Sequence, residues 1–382
     1  MTQPGLQHAT PAVRVFGGER ALDALPRELD RLGLRRAVLF FGRSMLGHDA
    51  ALARVESALG ARLAGRFDGV REHSPTDAVE AGRRALEEWG ADSVVALGGG
   101  SAVVTARAAS ILLAERRDVR ELCTRRDPDG RLVSPHLGAP KLPQWVVPST
   151  PNTAYAKAGS AVRDPATGER LALYDPKTRA RAVFLDPVVA GTASVPLVLG
   201  SALTALSMAI EGVVSRVDDP LADALLLHGL RMCADWLPRA LDAPDDTEPR
   251  LRLMAAALLA GQGSDYTGGG LAQALSHAVG PISSVSNGVV HGLLLPATLR
   301  YAAPVAATSL APVGEALGSP DGIAAVERLL ARCGVPARLR DVGVDRDALG
   351  GVVDHVLDDW TASRAPRDAG RDELLAILQE AW

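Results

Sequence analysis

The sequence predicts an α/β domain with a parallel, Rossmann-like sheet over residues 1–187, followed by an all-α domain over residues 188–382. Three observations carry this. Short apolar runs alternate with helical patterns as far as Pro187, the signature of a parallel sheet covered on both faces. Beyond Asp186-Pro187 the chain turns to long Ala/Leu-rich segments with apolar residues every three or four positions, and no period-two alternation survives. Within the first part, Val94-Val95-Ala96-Leu97 stops at Gly98-Gly99-Gly100, and Ser101 then opens a run of helix formers. That reads as strand, tight turn and helix, with Ser101 as the N-cap.

In order along the chain, residues 13–16 read as strand, 19–32 as amphipathic helix, 36–41 as strand, 49–59 as helix and 78–89 as helix before the strand at 94. Residues 117–141 are rich in charge, Pro and Gly, and read as a long excursion. Residues 144–150 return as a strand ending in Pro148-Ser149-Thr150-Pro151-Asn152-Thr153. Residues 160–162 and 171–174 look like a hairpin, and 182–185 like a last strand. Helices are expected over 197–214, 222–237, 251–260, 271–279 and 288–301, with several more towards Trp382. No internal repeat or low-complexity tract is visible.

A chain of 382 residues, 47% hydrophobic and 23% charged, is long enough for two domains, each with its own core. A formal charge of −4 offers no basic field for nucleic acid or an anionic membrane. Cys123, Cys233 and Cys333 match neither a disulfide framework nor a metal knuckle, which fits a reducing cytoplasm. No signal peptide and no uninterrupted apolar run of membrane-spanning length is seen, so a cytoplasmic protein is expected.

The Gly98 turn reads in two ways. Glycines let backbone approach a ligand closely, and exposed N–H groups with the helix dipole favour an anion, which makes a phosphate or pyrophosphate cradle at the carboxyl end of a strand. A close-packed βα turn without ligand has the same sequence.

Gly98-Gly99-Gly100-Ser101 followed by Ala106 is similar to the GGGSxxDxAK motif of the iron-containing (group III) alcohol dehydrogenase family, which includes maleylacetate reductases and shares its fold with dehydroquinate synthase. Pro148-Ser149-Thr150-Pro151-Asn152-Thr153 resembles that family's PTTAGTGSE loop, and Leu185-Asp186-Pro187 its DP junction. Ala209-Ile210-Glu211 resembles the end of its GMDALxHAIE helix, and Leu294-Leu295-Pro296 that of its HGxxNAILLP helix. The resemblance implies a nucleotide-binding α/β domain, a helical domain, and a cleft between them where nicotinamide, substrate and metal meet.

The family's four metal ligands fall, by the same motif spacings, on Thr204, Met208, Gln273 and Asn287. These bring no negative charge and no imidazole, so the resemblance implies a dismantled metal site and no bound metal. His277 matches the family's second His in HxxxH, which lies beside the substrate without binding the metal. On a helix it lies one turn from Gln273, and it is the first candidate for general acid or electrophile, with Lys157 and Tyr155 behind it. Gln273 and Asn287 are candidates for holding a substrate oxygen. A hydrogen-bonded structural histidine is the competing reading for His277 and the preferred one for His291.

The cofactor loops depart as well. The family's Asp in GGGSxxDxAK is Val104 here, and its Lys is Arg107, which keeps the cationic role in longer form. Thr150 and Thr153 keep their places. Where many members carry an Asp for the adenosine ribose, this chain has Gly42-Arg43-Ser44, which leans towards NADP over NAD. Two functions therefore compete. One is a metal-independent NAD(P)-dependent oxidoreductase acting on a small hydroxy or keto compound. The other is a non-redox lyase or isomerase, or a nucleotide-binding protein without turnover, on the same fold. A homodimer is expected, paired through the edge strand at 13–16 or the hairpin beginning at Ser160.

Overall fold

The computed structural model describes residues 8–127, 132–357 and 359–382. The chain divides into two compact units. A sheet unit comprises residues 11–150 and 154–193; a helical unit comprises residues 151–153 and 194–382 with the described start of the chain.

In the sheet unit the order is β1 (Arg14–Gly17), α1 (Leu25–Asp30), β2 (Ala37–Gly42), α2 (Asp49–Leu59), β3 (Leu63–Val70), α3 (Thr76–Glu88), β4 (Ser93–Gly98) and α4 (Gly100–Glu115). The excursion then holds α5 (Val119–Leu122), β5 (Arg125–Arg126) and β6 (Leu132–Val133). After it come β7 (Gln144–Pro148), β8 (Gly159–Arg163), β9 (Arg170–Tyr174), β10 (Ala180–Leu185) and α6 (Pro187–Ala190). Six strands form one sheet in the order β1-β10-β7-β4-β2-β3. Every pairing in it is parallel. The pairs β5-β6 and β8-β9 are antiparallel.

Strand side chains alternate between the two faces. Leu39, Phe41, Val95, Leu97, Trp145, Val147 and Phe184 pack in one buried cluster with Leu25 and Leu29 of α1 and Val55 and Leu59 of α2. Phe40 faces the other way, onto α3, where Gly82 leaves room for its ring: a Cβ there would lie 2.8 Å from it. At about 1.5–3 kcal/mol for each large apolar side chain removed from water, these two layers hold the sheet.

Two polar clusters pin the connections. Lys141 Nζ, fully buried, donates to Glu115 Oε1 (2.5 Å) and the Ala139 carbonyl (2.6 Å), with Asp175 Oδ2 3.1 Å away. This ties the return from the excursion to the end of α4. Asp186 is buried; its Oδ1 accepts from the N–H groups of Val188 and Val189, capping α6, while Oδ2 pairs with Arg54 Nη2 at 2.6 Å. Pro187 follows the cap at the first helical position, where its missing N–H costs nothing.

Two expectations need correction here. The helix expected over 19–32 is a 3₁₀ turn, Ala21–Ala24, followed by the short α1, because Pro26 sits in the first turn of α1 and cannot continue a longer helix through itself. Strand β3 was not anticipated. Its sequence, LAGRFDGV, carries two glycines and an aspartate and is mostly half-buried at the sheet edge, so neither alternation nor an apolar run marks it.

The helical unit holds α7 (Val195–Val214), α8 (Pro220–Asp242), α9 (Thr247–Thr267), α10 (Leu271–Val279), α11 (Asn287–Ala316), α12 (Gly322–Arg332), α13 (Leu349–Leu357) and α14 (Arg371–Ala381). Asp219, Asp246 and Asp321 cap α8, α9 and α12 through their side chains. Helix α11 runs beyond the expected end at Tyr301 and bends at Ala306, two residues after Pro304, whose ring breaks the i→i−4 ladder. Helices α7 and α11 are long and apolar enough to cross a membrane by length and composition, although polar residues interrupt both, so neither is the uninterrupted apolar run that the sequence analysis looked for. Their apolar windows are 78% and 67% buried in the protein, as core helices are.

Candidate active site

Strand β4 ends at Gly98, whose φ of +130° excludes a side chain without strain. Gly99, with extended backbone, is the N-cap of α4. A Cβ on Gly99 would point at Thr150 Oγ1, 3.6 Å away, and the Ser149 N–H donates to the Gly98 carbonyl at 3.0 Å. The turn therefore places Gly98, Gly99, Gly100 and the buried Thr150 together at the carboxyl ends of two neighbouring strands, with the N terminus of a sixteen-residue helix beside them. Backbone donors and a helix dipole without side-chain obstruction suit a phosphate group. Ser101 is not the cap that the sequence suggested. It lies inside α4, where its carbonyl accepts from Ser74 Oγ at 3.2 Å.

Arg107 also differs from its expected role at the cofactor. Its side chain is 1% exposed, and the guanidinium donates to the carbonyls of Gly159 (2.6 Å) and Ala154 (2.7 Å). A buried guanidinium holding backbone carbonyls clamps α4 to the start of β8; we read it as structural. Arg43 is exposed just past the end of β2, and its Nε lies 3.9 Å from Asp68 Oδ2 on β3. Residues 42–44 themselves carry no acid, but the unforeseen strand brings one beside Arg43. Gly42 and Ser44 flank Arg43, and a Cβ on Gly42 would lie 3.3 Å from the Val70 carbonyl.

Tyr155 and Lys157 belong to the sheet unit, whereas Thr153, Gln273, His277 and Asn287 belong to the helical unit. Tyr155 is 1% exposed on a short 3₁₀ turn, a packing position; Lys157 is half-buried. The thiols are also packing groups: burial pushes Cys233 up to about 12, which removes it as a nucleophile at neutral pH.

In the helical unit Thr204 and Met208 lie on α7, Gln273 on α10, and Asn287 opens α11. Thr204 Oγ1 donates to the Gly200 carbonyl at 3.1 Å. Met208 Sδ receives Thr153 Oγ1 at 3.6 Å, and Gln273 Nε2 lies 4.0 Å from the same sulfur. Gln273 Oε1 is buried without a hydrogen-bond partner. Thr153, expected at the cofactor, thus spends its hydroxyl on a thioether.

A frame holds these positions. Glu211, one turn past Met208, is buried. Its Oε1 accepts from the N–H of Ala272 (2.8 Å) at the start of α10, and its Oε2 lies 2.8 Å from His291 Nε2 on α11. His291 is 1% exposed, so it is the hydrogen-bonded structural histidine. At Gly288 a Cβ would collide with the Gly200 carbonyl, so only glycine lets α11 approach α7 here. His277, one turn beyond Gln273, brings Nδ1 to 2.6 Å from Asp359 Oδ2. Asp359 was not foreseen. Its Asx turn onto Thr361 is a readable local signal, but nothing in the sequence announces a pairing across 82 residues.

An α/β unit with a glycine turn at the carboxyl edge of its sheet, joined in sequence to a helical unit bearing a histidine–carboxylate pair, defines a dehydrogenase-type architecture. Residues 11–187 match the family described as iron-containing alcohol dehydrogenase, and residues 199–382 the C-terminal part of the Fe-containing alcohol dehydrogenase family. The chain belongs to this family, and it is an alcohol dehydrogenase-like oxidoreductase. Maleylacetate reductase 1 of Cupriavidus pinatubonensis is 29% identical over 381 residues, covering 99% of this chain and 96% of that one. Lactaldehyde reductase of Escherichia coli is 27% identical, covering 96% and 97%. The crystal structure of maleylacetate reductase from Agrobacterium tumefaciens superposes with a TM-score of 0.82 at 26% identity, covering 100% and 99%.

The family's name implies iron, and the residues present do not fit it. Thr204, Met208, Gln273 and Asn287 offer a hydroxyl, a thioether and two carboxamides, with no charge to balance a hard or borderline divalent cation. Among the described residues, no three His, Cys, Asp or Glu side chains group where they could hold a metal.

Proposed function

We propose that the protein is a metal-independent NAD(P)-dependent dehydrogenase/reductase of a small hydroxy or keto compound. The observation that carries this reading is the side-chain set at the positions that match the family's ligands by motif spacing: Met208 Sδ meets Thr153 and Gln273, and His277, one turn further along α10, pairs with Asp359.

When bound, the dihydronicotinamide supplies a hydride to the carbonyl carbon of the substrate. The Gly98–Gly100 backbone, Thr150 and the start of α4 hold its phosphates. The carboxamides of Gln273 and Asn287 donate hydrogen bonds to the carbonyl oxygen, taking over the polarising work of a cation, and His277 delivers the proton that completes the alcohol. Arg43 beside Asp68 suits a 2′-phosphate and a ribose hydroxyl alike, so NADPH and NADH are used with less than about a tenfold preference.

The test is reduction of maleylacetate and lactaldehyde, the compounds named by the two relatives, by protein freed of metal with a chelator. Retained turnover, with less than one metal per two chains by elemental analysis, supports the reading; activity that returns only on adding a divalent cation rejects it. We further propose a cytoplasmic homodimer through β1, an edge strand of the sheet, with Val15 exposed. Light scattering that shows only monomer at micromolar concentration rejects the dimer.

A further inference from the structure

We infer that Asp359 is a positioning residue for His277: its carboxylate dictates which imidazole nitrogen carries the proton and makes Nε2 the atom that delivers a proton to the carbonyl oxygen. The inference rests on the proposed role of His277. It goes beyond that role by naming the atom that acts and the residue that selects it.

The geometry is specific. His277 Nδ1 and Asp359 Oδ2 lie 2.6 Å apart, with side chains 13% and 11% exposed. The carboxylate is itself fixed, because Oδ1 accepts from the Thr361 N–H (2.9 Å) and from Thr361 Oγ1 (2.7 Å). Thr361 is fully buried. The two oxygens therefore divide their work: Oδ1 holds the turn Trp360–Arg364, and Oδ2 holds the ring. Capping the turn requires only Oδ1, so the turn alone does not account for a histidine on the other oxygen.

An ionised carboxylate only accepts hydrogen bonds, so Nδ1 carries a hydrogen whether the imidazole is neutral or protonated. The neutral ring is then the Nδ1–H tautomer, and the proton that distinguishes imidazolium from imidazole resides on Nε2. In the reductive direction the Nε2–H bond breaks and its proton goes to the carbonyl oxygen as the hydride from NAD(P)H reaches the carbon. What remains is NAD(P)⁺, the alcohol and a neutral Nδ1–H imidazole still bonded to Asp359. Oxidation runs the same steps in reverse, with Nε2 accepting the hydroxyl proton.

Asp359→Asn tests this in the full-length protein. Asparagine keeps the Oδ1 acceptor for Thr361 and puts an NH₂ donor against the ring, which forces Nδ1 to accept and moves the hydrogen to Nε2. Nitrogen-15 NMR of histidine-labelled protein reads the tautomer, with the His277 signal picked out of the eight histidines by its loss in His277→Ala. Turnover is measured with NADPH and whichever of maleylacetate and lactaldehyde has the higher kcat/KM. The expected result is an Nδ1–H ring in the wild type and an Nε2–H ring in the variant. With it, kcat falls about a hundredfold or more, while the Kd for NADPH stays within about twofold. In the His277→Ala background, Asp359→Asn should add less than about a twofold loss, whereas a purely structural aspartate would lower turnover in either background.

An unchanged tautomer, or kcat within about twofold of wild type while His277→Ala is crippled, overturns the positioning role and leaves the reading of His277 standing. A switched tautomer together with a fully active His277→Ala shows that the ring is oriented but does no chemistry, which overturns the proposed role of His277 and this inference with it. Should Asp359→Asn fail to fold, Thr361→Val removes one donor from Oδ1 and keeps the carboxylate. A several-fold loss of kcat with a displaced His277 signal supports the inference, and no change in either overturns it.

Discussion

What the Gly98 turn offers a ligand is backbone: N–H groups at the start of α4, uncovered because Gly98 has a φ of +130° and Gly99 lacks a Cβ. What the second region offers is side chains, Thr204, Met208, Gln273 and Asn287, carried on α7, α10 and α11. The turn's chemistry cannot be changed without changing its conformation, so it is present or absent as a whole. On the helices, chemistry and conformation are largely separable, because Glu211, His291 and the Gly288–Gly200 approach hold α7, α10 and α11 in place mainly through groups other than the four side chains. The helical frame therefore stands whichever donors those four positions carry.

The largest effect expected from this contrast is catalytic. His277→Ala should lower kcat by about two to three orders of magnitude while the Kd for NADPH, titrated by fluorescence, changes by less than about twofold. A parallel loss of cofactor affinity would mean that the two regions are not independent.

The frame should fail differently. Glu211→Ala leaves the His291 ring and the Ala272 N–H buried without their partner, at a cost of about 3 kcal/mol, visible as a lower midpoint in thermal and denaturant melts. Activity lost without loss of stability would show that Glu211 belongs to the chemistry.

The sheet unit has an acid-sensitive connection with no counterpart at the four helical positions. Burial pushes the Glu115 carboxyl up, but the hydrogen bonds from Lys141 and the Ala139 N–H outweigh it, and the net shift is below the ordinary value of 4.5. A carboxyl lowered in the folded state adds stability that is complete above the unfolded value and lost as the pH falls through the folded one. Lys141→Met should therefore melt below wild type at pH 7, with a gap that closes as the pH drops below about 4.5. A gap independent of pH would remove Glu115 from the account.

The smallest effect concerns the ribose end. Asp68→Asn frees Arg43 from its exposed partner and should raise the NADPH-to-NADH ratio of kcat/KM about threefold. A shift towards NADH would mean that Asp68 does not act through Arg43.

Much of the architecture was legible because its signals are local. Helices α2 and α10 begin and end where periodicity and flanking residues place them, and β4 followed by the Gly98 turn stands out by composition alone. What escaped depends on contacts distant in sequence. Strand β3 owes its existence to pairing with β2 and not to its own residues, and with it went Asp68. Arg107 reads as a cofactor-side cation from its motif position; the carbonyls of Ala154 and Gly159, some fifty residues away, turn it inward. His277 was singled out by its motif, whereas its partner Asp359 has no motif and enters through tertiary packing.

Glu211 has a consequence for anyone reshaping this protein. One carboxylate, with both oxygens engaged, joins three helices as a keystone joins an arch, and the stones around it can be recut while it stays in place. Donors at Thr204, Met208, Gln273 and Asn287 are in that sense interchangeable fittings on a fixed chassis. Variant libraries that spare Glu211, His291 and Gly288 can explore new reactivity at those four sites, whereas libraries that include the three residues will be sorted chiefly by solubility.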